Sequence, residues 1–234
     1  MAELVTGPDG AIVDGVLYLG ADGHVTVEGY RVETTHTARG LRYDVRTPDG
    51  DELSWMAPRV PAQRTLILGG ARSGKSTEGE RLLSDYPDAL YVATGGDGSS
   101  DPEWAERIAR HQARRPAGWG LAETIDLVPL LEASGPPLLV DCLTLWLSRT
   151  MDACEVWEDQ ARAAGVEKRI EELAAAWSRT TRVVVAVSNE VGSGVVPASA
   201  SVRLFRDLMG LVNATIAHRS NAVLWCMAGR VTAL

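Results

Sequence analysis

Lysine is scarce in this chain of 234 residues, which has only Lys75 and Lys168 and a formal net charge of −8. An extended nucleic-acid surface needs clustered basic side chains to meet the phosphate backbone, so the acidic balance argues against that class of protein. Any phosphate site must therefore be local. Lys75 stands out as a candidate functional residue because it lies in a glycine-rich segment.

Cysteine and long apolar runs are also scarce. The three cysteines, Cys142, Cys154 and Cys226, are odd in number and lack the paired spacing of a zinc site, which argues against a disulfide or zinc framework. No apolar run approaches the roughly 18 residues that a membrane-spanning helix needs, and the first residues lack the pattern of a signal peptide. We therefore expect a cytoplasmic protein with no membrane span.

The chain shows two patterns that meet near residue 60. Short alternating segments between residues 11 and 55 are separated by turn residues, which predicts a small antiparallel β unit. Pro58 and Pro61 then bracket a connector. We predict an N-terminal β domain over residues 1–61, with a stabilising or oligomer-flanking role, and a second domain over residues 62–234.

The second domain alternates apolar runs with helical patterns. Such short continuous runs are typical of strands covered on both faces, and the alternation predicts an α/β fold with a mostly parallel sheet flanked by helices. The predicted strands are Thr65–Leu68, Ala89–Ala93, Leu138–Val140, Val183–Val187 and Val223–Trp225, and the predicted helices are Ser76–Ser84, Asp101–Arg114, Val156–Ser178 and Ser201–Ala217.

A phosphate-binding pattern, Gly69-x-x-x-x-Gly74-Lys75-Ser76, follows the first of these strands and opens the first helix. Glycines let successive backbone N–H groups point at phosphate oxygens, and the helix N-terminus adds partial positive charge. Lys75 would neutralise the β- and γ-phosphates as a catalytic group, and the Ser76 hydroxyl would ligate Mg²⁺. The alternative, a glycine-rich turn with an incidental lysine, does not account for the flanking strand and helix. The predicted P-loop consists of Gly69, Gly70, Ala71, Arg72, Ser73, Gly74, Lys75 and Ser76.

Such a site also needs a carboxylate at the end of a neighbouring strand to hold the hydrated Mg²⁺. Asp141, at the end of Leu138-Leu-Val-Asp141, is the candidate. A second interpretation stays open, because Asp141 could instead cap a helix that begins near Leu143.

A histidine lies within an arginine-rich segment. On the predicted helix, Trp104, Ile108 and His111 share one face. His111 could be an ordinary packed residue, and the arginines around it a solvated face. Alternatively, a neutral imidazole beside a phosphate pocket can attack phosphorus and carry a nucleotidyl group covalently, with arginines steadying the charge.

Several of these segments together resemble one enzyme family. The motifs Gly69–Ser76, Arg107-Ile-x-x-His111, Arg115-Pro-x-x-Trp119, Asp141–Trp146 and Asn189–Pro197 occur in the order found in the bifunctional adenosylcobinamide kinase/adenosylcobinamide-phosphate guanylyltransferase family. The resemblance covers Arg64 to Leu234 and continues through Arg203-x-Phe-Arg-Asp207, Gly210-x-x-Asn213 and Gly229. Residues 1–60 match nothing in the family core.

The resemblance implies a step of cobalamin assembly, in which adenosylcobinamide is phosphorylated and GMP is transferred from GTP onto that phosphate. It implies Mg²⁺, GTP or ATP as phosphoryl donor, and a homo-oligomer, a trimer in the family. His111 matches the histidine that becomes guanylylated, and Asp141 stands where some relatives have Glu. The remaining nucleotide contacts implied are Ala93, Thr94, Gly95, Gln112, Ala113, Arg114, Arg115 and Glu123.

Two functional hypotheses remain distinct at this stage. In the first, the chain is the bifunctional enzyme, its P-loop serves both reactions, and the loop from Asn189 to Pro197 helps to hold the corrinoid. In the second, it is a P-loop ATPase or a regulatory nucleotide-binding module that recruits a protein partner through the β domain, and His111 is structural. Retention of only one of the two activities is a narrower alternative.

Overall fold

A computed structural model describes most of the chain, which divides into two compact units, Met1–Val60 and Pro61–Leu234. The residues that it describes are 4–7, 10–13, 16–19, 25–27, 30–37, 40–46, 49–58, 63–96 and 116–234. The predicted helix Asp101–Arg114, with His111, and the residues Gln112 to Arg115 lie outside them.

The first unit contains two antiparallel sheets. One has the strand order β1-β2-β3 and the other the order β4-β5-β6-β7, with every pair antiparallel. The alternating pattern therefore predicted the class of structure but not the first strand, which begins at Leu4. The strands are β1 Leu4–Gly7, β2 Gly10–Val13, β3 Val16–Leu19, β4 Val25–Val27, β5 Tyr30–Thr37, β6 Gly40–Arg46 and β7 Glu52–Pro58.

The second unit is built on one seven-stranded sheet with the order β10-β9-β11-β12-β8-β13-β14. All neighbours in it are parallel except β13 and β14, which form an antiparallel pair. The predicted mostly parallel sheet is confirmed. Its strands are β8 Arg64–Gly69, β9 Leu90–Ala93, β10 Gly120–Glu123, β11 Leu138–Asp141, β12 Val184–Asn189, β13 Ala222–Met227 and β14 Arg230–Ala233.

Helices cover both faces of this sheet, which explains why its central strands are mostly apolar and buried. Leu66 and Leu68 of β8 pack into one apolar cluster with side chains of α2 to α5, whereas Ile67 packs into a second cluster together with Leu82 of α1. The helices are α1 Lys75–Leu82, α2 Leu127–Glu132, α3 Leu143–Ala153, α4 Ala163–Arg179 and α5 Ala200–His218.

The helix predicted to begin at Val156 begins only at Ala163, after a 3-10 turn at Gln160–Arg162. Tertiary contacts explain the difference. Trp157 stacks on Phe205 of α5 with 6.0 Å between ring centroids, and the Asp159 carboxylate accepts a hydrogen bond from the N–H of Ala161. The predicted helical period was therefore wrong over the first seven residues of that segment.

Candidate active site

The P-loop connects the buried strand β8 to α1 at the carboxyl end of the parallel strands. Gly74 is the N-cap of α1 and has φ 100°, a left-handed conformation that glycine adopts without steric cost. No side chain of the described residues caps this helix end. The first N–H groups of α1 therefore have no side-chain acceptor at this end of the helix, and a helix N-terminus of this kind favours an anion.

Gly69 lies where the loop meets the neighbouring strand β13. A Cβ atom at this position would lie 2.3 Å from the carbonyl oxygen of Cys226 and 2.7 Å from Oγ of Ser73. Only glycine fits such a close approach. The first glycine of the motif is thus required by packing of the loop against β13.

Backbone hydrogen bonds support the loop from two sides. The N–H of Glu190, after β12, donates to the carbonyl of Gly69 at 3.2 Å. The N–H of Gly229, in the turn between β13 and β14, donates to the carbonyl of Ser73 at 3.1 Å. The terminal glycine of the predicted motif series is therefore in contact with the P-loop, although it lies 160 residues beyond Gly69 in the chain.

Two buried polar side chains are directed into the loop. The ammonium group of Lys75 donates to the carbonyl of Gly70 at 2.8 Å, and the side chain is only 9% exposed. Oγ of Ser73 is buried and has no hydrogen-bond partner among the described residues. A buried donor without a partner costs free energy, and a phosphate oxygen bound in the loop would satisfy it.

The helix that follows the loop carries a buried charged pair. Glu78 of α1 is buried and pairs with Arg81 through two hydrogen bonds, of 2.6 and 2.5 Å. Burial raises the pKa of the Cys226 thiol, the Glu78 carboxylate raises it further, and the Lys75 ammonium opposes the shift. Cys226 is therefore a neutral packing residue beneath the loop at ordinary pH.

Asp141 ends β11 at the same edge of the sheet, but β11 does not neighbour β8. Strand β12 lies between them, which separates the two strand ends by about 10 Å. This corrects the expectation of an adjacent strand. The capping interpretation is wrong, because the N-cap of α3 is Cys142. The Asp141 carboxylate instead accepts a hydrogen bond from the Tyr91 hydroxyl at 2.6 Å.

Thr94 joins the ends of β9 and β11. Its buried hydroxyl donates to the carbonyl of Cys142 at 2.7 Å and accepts from the N–H of Cys142 at 3.0 Å. Its own carbonyl accepts a hydrogen bond from Arg149 of α3 at 3.1 Å. The Thr94 hydroxyl is therefore fully used in hydrogen bonds to the backbone of Cys142. Burial raises the pKa of the Cys142 thiol, and the nearby Asp141 carboxylate raises it further.

The other predicted contacts spread along the sheet edge. Ala93 and Gly95 lie at the end of β9, three strands from β8, and the exposed Glu123 ends β10, four strands from β8. At about 4.8 Å per strand, these positions are about 14 and 19 Å from the P-loop strand. The structure thus places the P-loop residues together, and it places Ala93 to Gly95, Glu123 and Asp141 on the same edge at increasing distances.

The sequence of residues 65–234 matches the model of the family described as cobinamide kinase / cobinamide phosphate guanyltransferase. The chain belongs to this family. Both activities in that description transfer a group from a nucleoside triphosphate, and the P-loop has the geometry to hold its phosphates. This member of the cobinamide kinase / guanyltransferase family is therefore an enzyme, and the P-loop is its candidate site for nucleotide phosphates.

Three relatives have names that agree with this family. The bifunctional adenosylcobalamin biosynthesis protein CobU of Salmonella typhimurium is 36% identical over 70% of this chain and 95% of its own length. The corresponding protein CobP of Pseudomonas aeruginosa is 41% identical over 71% of this chain and 94% of its own length. CobU of Escherichia coli is 37% identical over 70% and 95%. A solved prototypical ATPase from the type III secretion system of pathogenic bacteria is 11% identical, with a TM-score of 0.44, over 70% of this chain and 51% of that chain.

Sequence reasoning missed three features of this family member's site. Tyr91 was included only as part of a predicted strand, and Arg149 was not singled out. Asn213 was noted only as part of a motif, yet its side-chain amide donates to the carbonyl of Asn189 at 3.1 Å and its Oδ1 accepts from Ser188 at 2.6 Å. This buried network fastens the start of the loop after β12, whose next residue supports the P-loop.

The described residues contain neither a membrane span nor a protein-only metal cluster. No helix in this part of the chain is long and apolar enough to cross a membrane. No group of three or more His, Cys, Asp or Glu side chains within the described ranges is arranged to hold a metal ion. A site of the kind expected for Mg²⁺ in this family needs fewer protein ligands, because substrate phosphates and water complete its coordination.

Proposed function

We propose that the enzyme phosphorylates adenosylcobinamide and then transfers GMP from GTP to the resulting phosphate through a guanylylated His111, giving adenosylcobinamide-GDP. The observation that carries the proposal is the P-loop of a chain that matches the family over residues 65–234. Three features meet in this loop: a helix N-terminus without a side-chain cap, the ammonium group of Lys75, and the Ser73 hydroxyl. This hydroxyl has no hydrogen-bond partner among the described residues. No comparable support favours the regulatory-module hypothesis.

In the kinase step, the loop would hold the phosphates of GTP or ATP. The backbone N–H groups at the start of α1 would bind phosphate oxygens, and Lys75 would balance the charge that develops on the transferred phosphoryl group. The substrate hydroxyl would attack the γ-phosphorus, with breakage of its bond to the bridging oxygen of the nucleoside diphosphate. The work of the protein is therefore positioning and charge stabilisation.

The residues present fit a magnesium ion. Ser76, half-buried in the first turn of α1, offers a hydroxyl oxygen, and Asp141 offers a carboxylate; both are oxygen ligands of the kind that Mg²⁺ prefers. When bound there, the ion would neutralise phosphate charge. Ser76 and Asp141 are the two protein ligands that we propose.

In the transferase step, an imidazole nitrogen of His111 would attack the α-phosphorus of GTP. A P–N bond forms, the bond to the β-phosphate oxygen breaks, and pyrophosphate leaves. An oxygen of the cobinamide phosphate then attacks the same phosphorus, and the P–N bond breaks to release His111. Arg114 and Arg115 would stabilise the negative charge on the phosphate when GMP is transferred to His111 and again when it is transferred to the cobinamide phosphate.

The distance of each predicted nucleotide contact from the P-loop decides which part of the nucleotide we assign to it. Glu123 and the segment Ala93–Gly95 are about 14 to 19 Å from the P-loop strand, too far to touch the phosphates that the loop holds. We therefore assign these residues to the nucleoside part of the nucleotide or to GTP bound for the transferase step. Gln112 and Ala113, which lie outside the described residues, are assigned to the same nucleotide only by the family resemblance.

The remaining expectations stand as proposals of the same kind. They are the division into domains 1–61 and 62–234, a homo-oligomer such as a trimer, and a cytoplasmic location. The N-terminal β domain is proposed to stabilise the protein or to flank an oligomer interface.

The guanylylated histidine is tested by incubating the protein with Mg²⁺ and GTP labelled at the α-phosphate. We expect a protein-bound label that is labile to acid and stable to alkali, as a phosphoramidate should be, and that is absent from His111→Ala. His218→Ala is the matched control, because His218 is an exposed histidine at the end of α5 and should leave the label unchanged.

An unlabelled but folded wild-type protein would contradict the covalent mechanism. Phosphorylation of adenosylcobinamide is assayed separately, since His111→Ala should retain it if the two steps use different catalytic groups. Loss of both activities in His111→Ala, with folding intact, would contradict that division of roles.

A further inference from the structure

The hydroxyl of Tyr91 is the clearest contact at this edge that the proposed mechanism does not use. Tyr91 lies on β9, is only 4% exposed, and packs in the apolar cluster that also contains Leu139 and Leu83. Its hydroxyl lies 2.6 Å from Oδ2 of Asp141. A buried aromatic ring thus ends in a hydrogen bond to the carboxylate that we propose as a magnesium ligand.

The register of the sheet explains how this contact forms. Asp141 is paired with Ala93, and Tyr91 lies two residues earlier on the same strand, about 6.6 Å below it. Side chains in a sheet lean along the strand direction, so the long phenol ring can reach the strand end from inside the core. A shorter side chain at this position could not reach Asp141.

The contact holds the carboxylate more firmly than ordinary packing would. At 2.6 Å the bond is in the range of strong O–H···O⁻ hydrogen bonds, which restrict the torsion of the acceptor carboxylate. The main chain of Asp141 is fixed from the same strand, since its carbonyl accepts the N–H of Thr94 at 3.3 Å. Strand β9 therefore fixes both the backbone and the side chain of Asp141.

We propose that Tyr91 is a positioning residue that orients the Asp141 carboxylate for the magnesium–nucleotide complex. The proposal depends on the proposed role of Asp141 as a metal ligand. Outer partners of this kind commonly change metal affinity by about 10- to 100-fold when they are removed. A hydroxyl that merely needed a partner for burial would affect stability and leave the metal dependence unchanged.

The test uses Tyr91→Phe, which removes only the hydroxyl, in the full-length protein. Tyr86→Phe is the matched control, because Tyr86 packs against the same apolar cluster and has no hydroxyl hydrogen bond to Asp141. Asp141→Asn removes the ligand charge itself. Binding of a fluorescent, non-hydrolysable GTP analogue is measured in EDTA and across a series of Mg²⁺ concentrations.

In Tyr91→Phe, we expect the Mg²⁺ concentration that gives half of the increase in GTP-analogue affinity to rise by about 10-fold. The affinity for the analogue in EDTA should be unchanged. Tyr86→Phe should match the wild type, and Asp141→Asn should lose most of the metal effect. If Tyr91→Phe has the wild-type magnesium midpoint while Asp141→Asn is impaired, Tyr91 is only structural and the inference is overturned.

A different pattern would identify failure of the proposed metal site. If Asp141→Asn retains the full magnesium effect, Asp141 is not a ligand, and the role of Tyr91 is overturned with it. All titrations are made at a temperature at which circular dichroism shows each variant to be folded, so that a lower melting temperature of Tyr91→Phe does not affect the readout.

Discussion

The nucleotide edge of the sheet has two halves that are built in different ways. The loop half comprises the P-loop and its two supports, Glu190 and Gly229, and its contacts are mostly backbone hydrogen bonds and glycine conformations. The strand-end half comprises the ends of β9 and β11, and side-chain hydrogen bonds of Tyr91 and Thr94 hold it.

This difference separates two tasks. A backbone-built loop can surround a phosphate closely, because main-chain N–H groups have little freedom to move and carry no side chain into the space. At the strand ends, where side-chain hydrogen bonds hold the structure, the orientation of one carboxylate can change while the loop stays the same. Phosphate binding and metal positioning should therefore respond separately to substitution. Three pairs of variants test how each half is built.

The largest effect is expected from Lys75→Ala in the loop half. Loss of the ammonium group should lower the rate of adenosylcobinamide phosphorylation by about 10²- to 10³-fold, because it removes charge stabilisation of the transferred group. Lys168→Ala is the control, since Lys168 lies on the surface of α4 and pairs only with Glu172, at 3.7 Å, among the described residues. If Lys75→Ala lowers the phosphorylation rate by less than tenfold, the P-loop does not act in the kinase step as proposed.

A smaller effect, on stability, is expected from Gly69→Ala. The added methyl group would overlap the carbonyl oxygen of Cys226, so the loop and β13 must separate, at a cost of about 3 kcal/mol in the free energy of unfolding. Gly70→Ala places its methyl group where no atom lies within 4 Å and should change stability by less than about 0.5 kcal/mol. Equal urea midpoints for the two variants would show that the loop half is not packed as described.

The smallest of the three effects is expected from Thr94→Val in the strand-end half. This nearly isosteric change leaves the buried N–H of Cys142 without its acceptor and should lower the free energy of unfolding by about 2 kcal/mol. Thr150→Val should cost less than about 1 kcal/mol, because the Thr150 hydroxyl donates to the carbonyl of Trp146, which is in its own helix. Urea denaturation at neutral pH measures both, and a larger loss in Thr150→Val would reverse our ranking.

The two halves also differ in how much of them the sequence predicts. The loop half follows from a local pattern, since glycines, Lys75 and Ser76 occur within eight residues and each has one conformational or chemical reason to be there. Asp141 could be found because a carboxylate ended an apolar run, although the strand between β11 and β8 could not be foreseen. Strand order depends on packing of the whole sheet, which no local segment contains.

Contacts of the strand-end half depend on register between distant segments. Tyr91 and Asp141 are 50 residues apart, and Thr94 and Cys142 are 48 apart. Tyr91 and Cys142 alone read as ordinary strand and loop positions, and the partners of Asp141 and Thr94 cannot be read from their own segments. Short, exposed β10 and β14 were also unpredicted, because four residues at a sheet edge carry little apolar signal. Tertiary contact, rather than propensity, decides these parts of the fold.

The position of β8 has a consequence for the order of folding. This strand is the earliest of its sheet in the chain, yet its neighbours β12 and β13 begin at Val184 and Ala222, more than a hundred residues later. Contacts of such long range form slowly, because closing a long loop costs entropy before the contact stabilises it. The P-loop can therefore gain its support from Gly229 only when the C-terminal strand β13 lies beside β8 and β14 beside β13, which makes the shape of the loop depend on the last residues of the chain to be joined to the sheet.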